Sequence, residues 1–293
     1  MHPQPSPRRA TTVLFVTTAL VTFAAVALGS VVCATDSSAA CPHWPGCYPG
    51  QVTPEAHLNP VLEFVHRVVA VVTGPLLLAT AVVALRIRDT WVRVLPWVAL
   101  AGALVAGVLG MFTITRGIST SLAAFDLASS LVAMLASTVA AVRVLRLPAT
   151  WRPARTGALA RATVGTWVLF HLTSIFVAGP GSLTRCVSWP VWRVLDVDGD
   201  VAVQWLRLGL AGVALLLTAA TVARAVRDAE TRALGVVAAV LALVEFTLGL
   251  TVVAAGASLP VKGLYAALAG AVLATLGWIA ALASTGRHEP ARD

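Results

Sequence analysis

Apolar positions along this chain run in long unbroken stretches instead of alternating with polar ones. Eight stretches stand out, at 11–33, 61–85, 91–114, 119–142, 160–179, 201–223, 233–256 and 260–284. Each is about 20 residues or longer, enough for a helix to cross a hydrocarbon core of about 30 Å. A backbone amide in lipid has no water to bond, so each stretch is expected to be helical. The pattern predicts an all-α polytopic membrane protein with eight transmembrane helices. The first run, Thr11 to Val32, exceeds the apolar core of a cleaved leader and reads as a retained helix.

Composition agrees. Hydrophobic residues make up 58% of the chain and charged ones 12%, about half the charge of an average soluble domain. The net charge of +8 would suit a nucleic-acid binder, but the basic residues sit at the ends of apolar runs and no basic stretch is interleaved with aromatics. Nucleic acid is therefore excluded as a partner. The loops between spans two and three, four and five, and six and seven, with both chain ends, hold Arg8, Arg9, Arg86, Arg88, Arg93, Arg143, Arg146, Arg152, Arg155, Arg161, Arg224, Arg227, Arg232, Arg287 and Arg292. The other side holds Arg116, Arg185, Arg193 and Lys262, with Arg67 and Arg207 at its helix boundary. The positive-inside rule then puts both termini in the cytoplasm of a multi-pass cell-membrane protein. Two long outer loops remain, 34–60 and 180–200, and all four cysteines lie in them or at their edge.

The chain reads as a duplication. Arg9-Ala10-Thr11 opens one half and Arg161-Ala162-Thr163 the other; CPHWPGC at 41–47 shares Cys, Trp and Pro with CVSWPVW at 186–192. Arg67 aligns with Arg207. Both halves keep one topology, so the repeat is parallel. Two four-helix bundles, 1–150 and 151–293, are expected about a pseudo-twofold axis along the membrane normal.

Three ionisable residues open span two, in VLEFVHRVVA. Glu63 and His66 share a helix face, and Arg67 is turned about 100° away. Charge in hydrocarbon is costly and marks a functional candidate. Placed at the helix mouth, Arg67 can also snorkel to headgroups and Glu63 can favour the helix N-terminus. A carboxylate one turn from an imidazole, facing a bundle interior, suits proton transfer or iron ligation.

The loop CPHWPGC followed by a helix opening E-x-x-H-R resembles the heme A synthase family, whose members assemble cytochrome oxidase. The resemblance spans essentially the whole chain. It implies oxidation of a heme O methyl to the formyl of heme A, with substrate heme in one half and heme b in the other. It also implies Glu63 as the catalytic carboxylate, His66 as an axial iron ligand, and Arg67 on the cofactor. Heme O synthase or an oxidase-assembly factor would be partners, a homo-oligomer is open, and the lipid bilayer is the surroundings. Three of the four expected axial histidines are replaced: Asp126 stands on span four, Leu206 on span six beside Arg207, and Tyr265 on span eight. A carboxylate or phenolate ligand at Asp126 or Tyr265 is the corresponding expectation. The alternative is a heme-binding or assembly subunit without turnover.

Four cysteines allow three pairings. A bridge between Cys41 and Cys47, which match the family's loop pair, is the first expectation; Cys33 and Cys186 would then join the halves. His171 on span five is expected to face a heme edge or a neighbouring helix. Glu245 and Asp126 are further ionisable residues within spans, and Arg116 is the expected partner of Asp126. Both acids would also suit a transporter, although no broken helices recur at matching positions of the halves.

Overall fold

A computed structural model describes residues 9–147, 150–151, 155–178, 183–186, 201–256 and 258–286. Eight helices cover the eight apolar runs: α1 (Arg9–Ala34), α2 (Leu58–Ala84), α3 (Thr90–Thr115), α4 (Thr120–Arg146), α5 (Arg155–Val177), α6 (Val201–Arg227), α7 (Arg232–Ala255) and α8 (Leu259–Ala283). All eight are long and apolar enough to span a membrane. The protein is an all-α polytopic membrane protein. The Trp189-Pro190 fragment, Trp192 and the charges Arg8, Arg152, Arg193, Arg287 and Arg292 lie outside the described residues.

Several helices run past their apolar segments into basic residues. Arg143 and Arg146 occupy the last turn of α4, and Arg224 and Arg227 that of α6, where cations complement the negative end of the helix. Starts are set by caps. Asp89 accepts from the Val92 N–H at 3.0 Å ahead of α3, and Ser119 from the Leu122 N–H at 3.4 Å ahead of α4, satisfying amides that the first turn leaves open.

The helices form two rings. In the first, α1 packs on α2, α2 on α3, α3 on α4, and α4 closes on α1; α5 to α8 repeat the order. The rings join where α8 meets α1 and α4, and α4 meets α5. Exchanging α1 with α5 and α4 with α8 reproduces these contacts, as a pseudo-twofold axis requires. The helices at this seam, α4 and α8, are the most buried.

Matching hydrogen bonds fix the internal register. Thr18 and Thr80 hydroxyls lie 2.8 Å apart between α1 and α2; Thr163 and Thr221 hydroxyls lie 2.8 Å apart between α5 and α6. Thr18 also donates to the Leu76 carbonyl, and Thr163 to that of Leu217. Thr80 maps on Thr221 and Leu76 on Leu217, a constant shift of 141 residues. Interhelical hydroxyl pairs of this kind are favoured in lipid, where no water competes.

Both membrane-facing ends are tied. At the basic end Arg143 pairs with Asp89, and Arg146 reaches Glu230 across the halves at 3.3 Å. Arg161 donates to Ser284, and strand β1 (Thr150–Trp151) pairs antiparallel with β2 (Thr285–Gly286). At the other end a Cys33–Cys186 disulfide joins the halves with 5.7 Å between α-carbons.

Close approach of α3 to α4 depends on Gly102, where a β-carbon would stand 2.7 Å from the Ser129 carbonyl oxygen. Gly102→Val is expected to force the helices apart and lower stability by about 1–3 kcal/mol, the usual range for overpacking. A thermal melt in detergent measures it; an unchanged melting temperature contradicts this packing.

Candidate functional site

The inward face of α2 carries Glu63, His66, Ala70, Thr73, Leu77, Thr80 and Ala84, spaced three and four apart, which is one side of a helix. Glu63 is 2% exposed. Its Oε2 accepts the backbone N–H of Cys41 at 2.7 Å, and its Oε1 pairs with Arg67. Arg67 reaches back towards the helix mouth: Nη1 donates to the carbonyls of His43 and Gly46, both at 2.7 Å, and Nη2 to that of Cys41 at 2.6 Å. The two side chains together clamp the loop closed by the Cys41–Cys47 disulfide. The hydrogen bonds of Arg67 thus go to the loop and to Glu63.

His66 turns the other way, into the ring. A β-carbon on Gly29 of α1 would meet its Cε1 at 3.1 Å, so the imidazole packs closely on α1 because position 29 has no side chain. Its Nδ1 is buried and has no hydrogen-bond partner among the described residues. The imidazole does not point at acyl chains.

Packing of the first ring changes with depth. Near the basic end Phe15, Ala19, Ala84, Val92, Ala140, Ala141 and Val144 form a closed core. Eighteen residues are five full turns, about 27 Å, so that distance along a helix returns to the same face. From Ala84 it leads to His66, from Val92 to Gly110, and from Val144 to Asp126. The residues at this outer level do not close. His66 and Asp126 are only half-buried, and Ala70 is exposed although it lies on the inward face. A β-carbon on Gly110 would meet nothing within 4 Å. The ring is therefore packed at its basic end and loose beneath the disulfide loop. Arg116 does not join Asp126 in an ion pair among the described residues; its guanidinium lies 5.4 Å from the Phe112 ring centroid.

The second ring is filled at the same level. The shift of 141 sets Arg207 on His66 and Gln204 on Glu63, which corrects the sequence alignment by one residue. Leu206, expected at the His66 position, faces outward with 55% exposure, while Arg207 is 1% exposed. Its Nε donates to the Ser174 hydroxyl at 2.7 Å, and its guanidinium lies 4.6 Å from the Phe170 ring centroid. Tyr265 occupies the Asp126 position, also 1% exposed, counted from the matching caps Ser119 and Ser258. Its hydroxyl would crowd a β-carbon on Gly249 at 3.2 Å. His171 is buried, stacked on Trp167 with centroids 5.7 Å apart and edge-on to Phe170 at 5.3 Å. Glu245 is buried within electrostatic reach of Tyr265.

Both expected disulfides are present. Sequence reasoning missed Arg207 and Ser174 as an interior pair, and the threonine bridges. An inward stripe on span six, Arg207-Ala211-Ala214-Thr218-Thr221-Ala225, was the available signal. No grouping of three or more His, Cys, Asp or Glu suited to a metal ion occurs among the described residues. Comparison with known protein families and with curated proteins gives no match.

Proposed function

We propose that this is a heme A synthase-type protein of the cell membrane, binding heme O in the outer half of its first ring. The loose level at His66, Ala70, Gly110 and Asp126 is the observation that carries this reading. It supplies an imidazole with a buried, unpartnered nitrogen, next to apolar surface that no side chain covers. His66 would hold the iron, and Asp126 offers a carboxylate from the facing helix. Bound there, heme O would supply the ring methyl that is oxidised to a formyl group. Glu63 and Arg67 close the mouth with the disulfide loop and so limit water at that end. The arginine-rich end, by its charge, would face the cytoplasm with both termini.

The second ring does not fit a heme. Its one histidine stacks between aromatic rings, and the level is filled by Arg207 and Tyr265. This favours a second reading, a heme-binding assembly subunit without turnover. Purified protein from heme-replete cells is expected to show a Soret band, and His66→Ala to lose most of it. A colourless wild type sinks both readings. Formation of heme A from heme O by a reconstituted preparation decides between them.

A further inference from the structure

We infer that the second ring has no room for a heme because its own side chains fill the level at which the first ring is loose, with Arg207 and Tyr265 as the plug. The hydroxyl bridges align α6 with α2, and Arg207 falls where His66 points into the first ring. The caps of α8 and α4 align Tyr265 with Asp126. Ala211, the counterpart of exposed Ala70, is buried. The same backbone arrangement is thus loose in one half and closed in the other; Arg207 and Tyr265 fill the second ring together with Trp167, Phe170 and His171 of α5, which the Thr18–Thr163 match sets on Thr22, Ala25 and Val26 of α1.

The plug is built to stay in. A guanidinium in a low-dielectric interior is costly unless its donors and charge are met. Ser174 takes the Nε proton and the Phe170 face receives the cation; Nη1 is buried without a hydrogen-bond partner among the described residues, and Tyr265 and Glu245 lie within electrostatic reach in sequence, Arg207 to Tyr265 to Glu245. Cation–π contact strengthens where water is excluded. Trp167 donates its indole N–H to Thr218 at 2.9 Å one level deeper. The second half is then folded without a prosthetic group, and the chain takes at most one heme. This rests partly on the proposed function for the first ring, but the filling of the second ring stands by itself.

The test is the pair Arg207→His with Tyr265→His, made in a His66→Ala background that removes the first-ring imidazole. Expressed in heme-replete cells, it is expected to gain about one heme per chain with a low-spin, bis-imidazole spectrum. A folded, monodisperse variant that gains none overturns the inference, as do two hemes on a wild-type chain. A colourless wild type would instead defeat the proposed function and leave this result standing. A second measurement does not depend on that variant folding. Ala214 is fully buried on the inward face of α6, and no described cysteine is free. Ala214→Cys is expected to resist a membrane-permeant maleimide equally in heme-replete and heme-deficient cells. Labelling that rises several-fold on heme depletion shows a cofactor-dependent interior and overturns the plug.

Discussion

Arg67→Met is expected to lower stability by about 3–5 kcal/mol and to release the outer loop, while the heme site proposed at His66 is left as it was. The magnitude is that of breaking a buried ion pair from one side. Glu63 would keep its charge in the interior without the guanidinium beside it, and the carbonyls of Cys41, His43 and Gly46 would each lose a charge-assisted donor. Met keeps the apolar stem. Glu63→Gln should cost less, because an amide still takes the Cys41 N–H through its oxygen and leaves no carboxylate behind. The double variant should fall short of the summed losses, since both side chains serve one clamp. Melting in detergent and proteolysis between 41 and 57 measure the loop; the Soret band measures the heme. A resistant loop in Arg67→Met would show that the disulfide holds it without the clamp. Loss of heme with an intact loop would return Arg67 to the cofactor.

The clamp was only half legible. The trio at 63, 66 and 67 stood out because charge is rare in such a segment, and the helical period separated His66 from Arg67 correctly. The Oε2 of Glu63 holds a backbone amide 22 residues upstream, a contact the sequence did not name. Sequence shows that a carboxylate is buried; it does not show which amide comes to meet it. The span positions were readable to within a few residues, since hydropathy is a sum over many side chains. The repeat was readable as topology but not as register. Matching Arg67 to Arg207 followed residue identity, whereas the ring selects helix face. Adjacent positions differ by about 100°, so a one-residue error exchanges the lipid-facing Leu206 for the interior Arg207. Arg143 is a parallel case. It counts as one more inner-side charge, yet it is buried and pairs with the Asp89 that caps α3. The threonines at 18, 80, 163 and 221 lie unmarked in apolar runs, because pairing depends on neighbours that sequence does not name.

Removing the Cys33–Cys186 bridge, by Ser at both positions, is the second large effect. The bridge closes a loop with a sequence separation of 153, for which chain-entropy reasoning gives about 5 kcal/mol. The Cys41–Cys47 bridge spans a separation of 6 and by the same relation gives about 2 kcal/mol. Helices that persist in the bilayer after tertiary contacts are lost shrink the larger figure more, because the unfolded chain is already constrained there. A loss of about 2–5 kcal/mol is therefore expected for Cys33→Ser/Cys186→Ser, still above that for Cys41→Ser/Cys47→Ser. The seam gives the physical reason the outer end needs a covalent tie. At the basic end the halves share the Arg146–Glu230 contact, and β1 in the α4–α5 connection pairs with β2 after α8; at the outer end small apolar packing surrounds the disulfide at Ala34, Leu183 and Ala266. A protease site placed in the α4–α5 connection reads this directly. Nicked wild type should remain one species on a non-reducing gel and separate into two on reduction, while the nicked double-Ser protein separates under both conditions. If that variant melts with the wild type, packing along α1, α4, α5 and α8 suffices to hold the rings together, and the bridge contributes little to the fold.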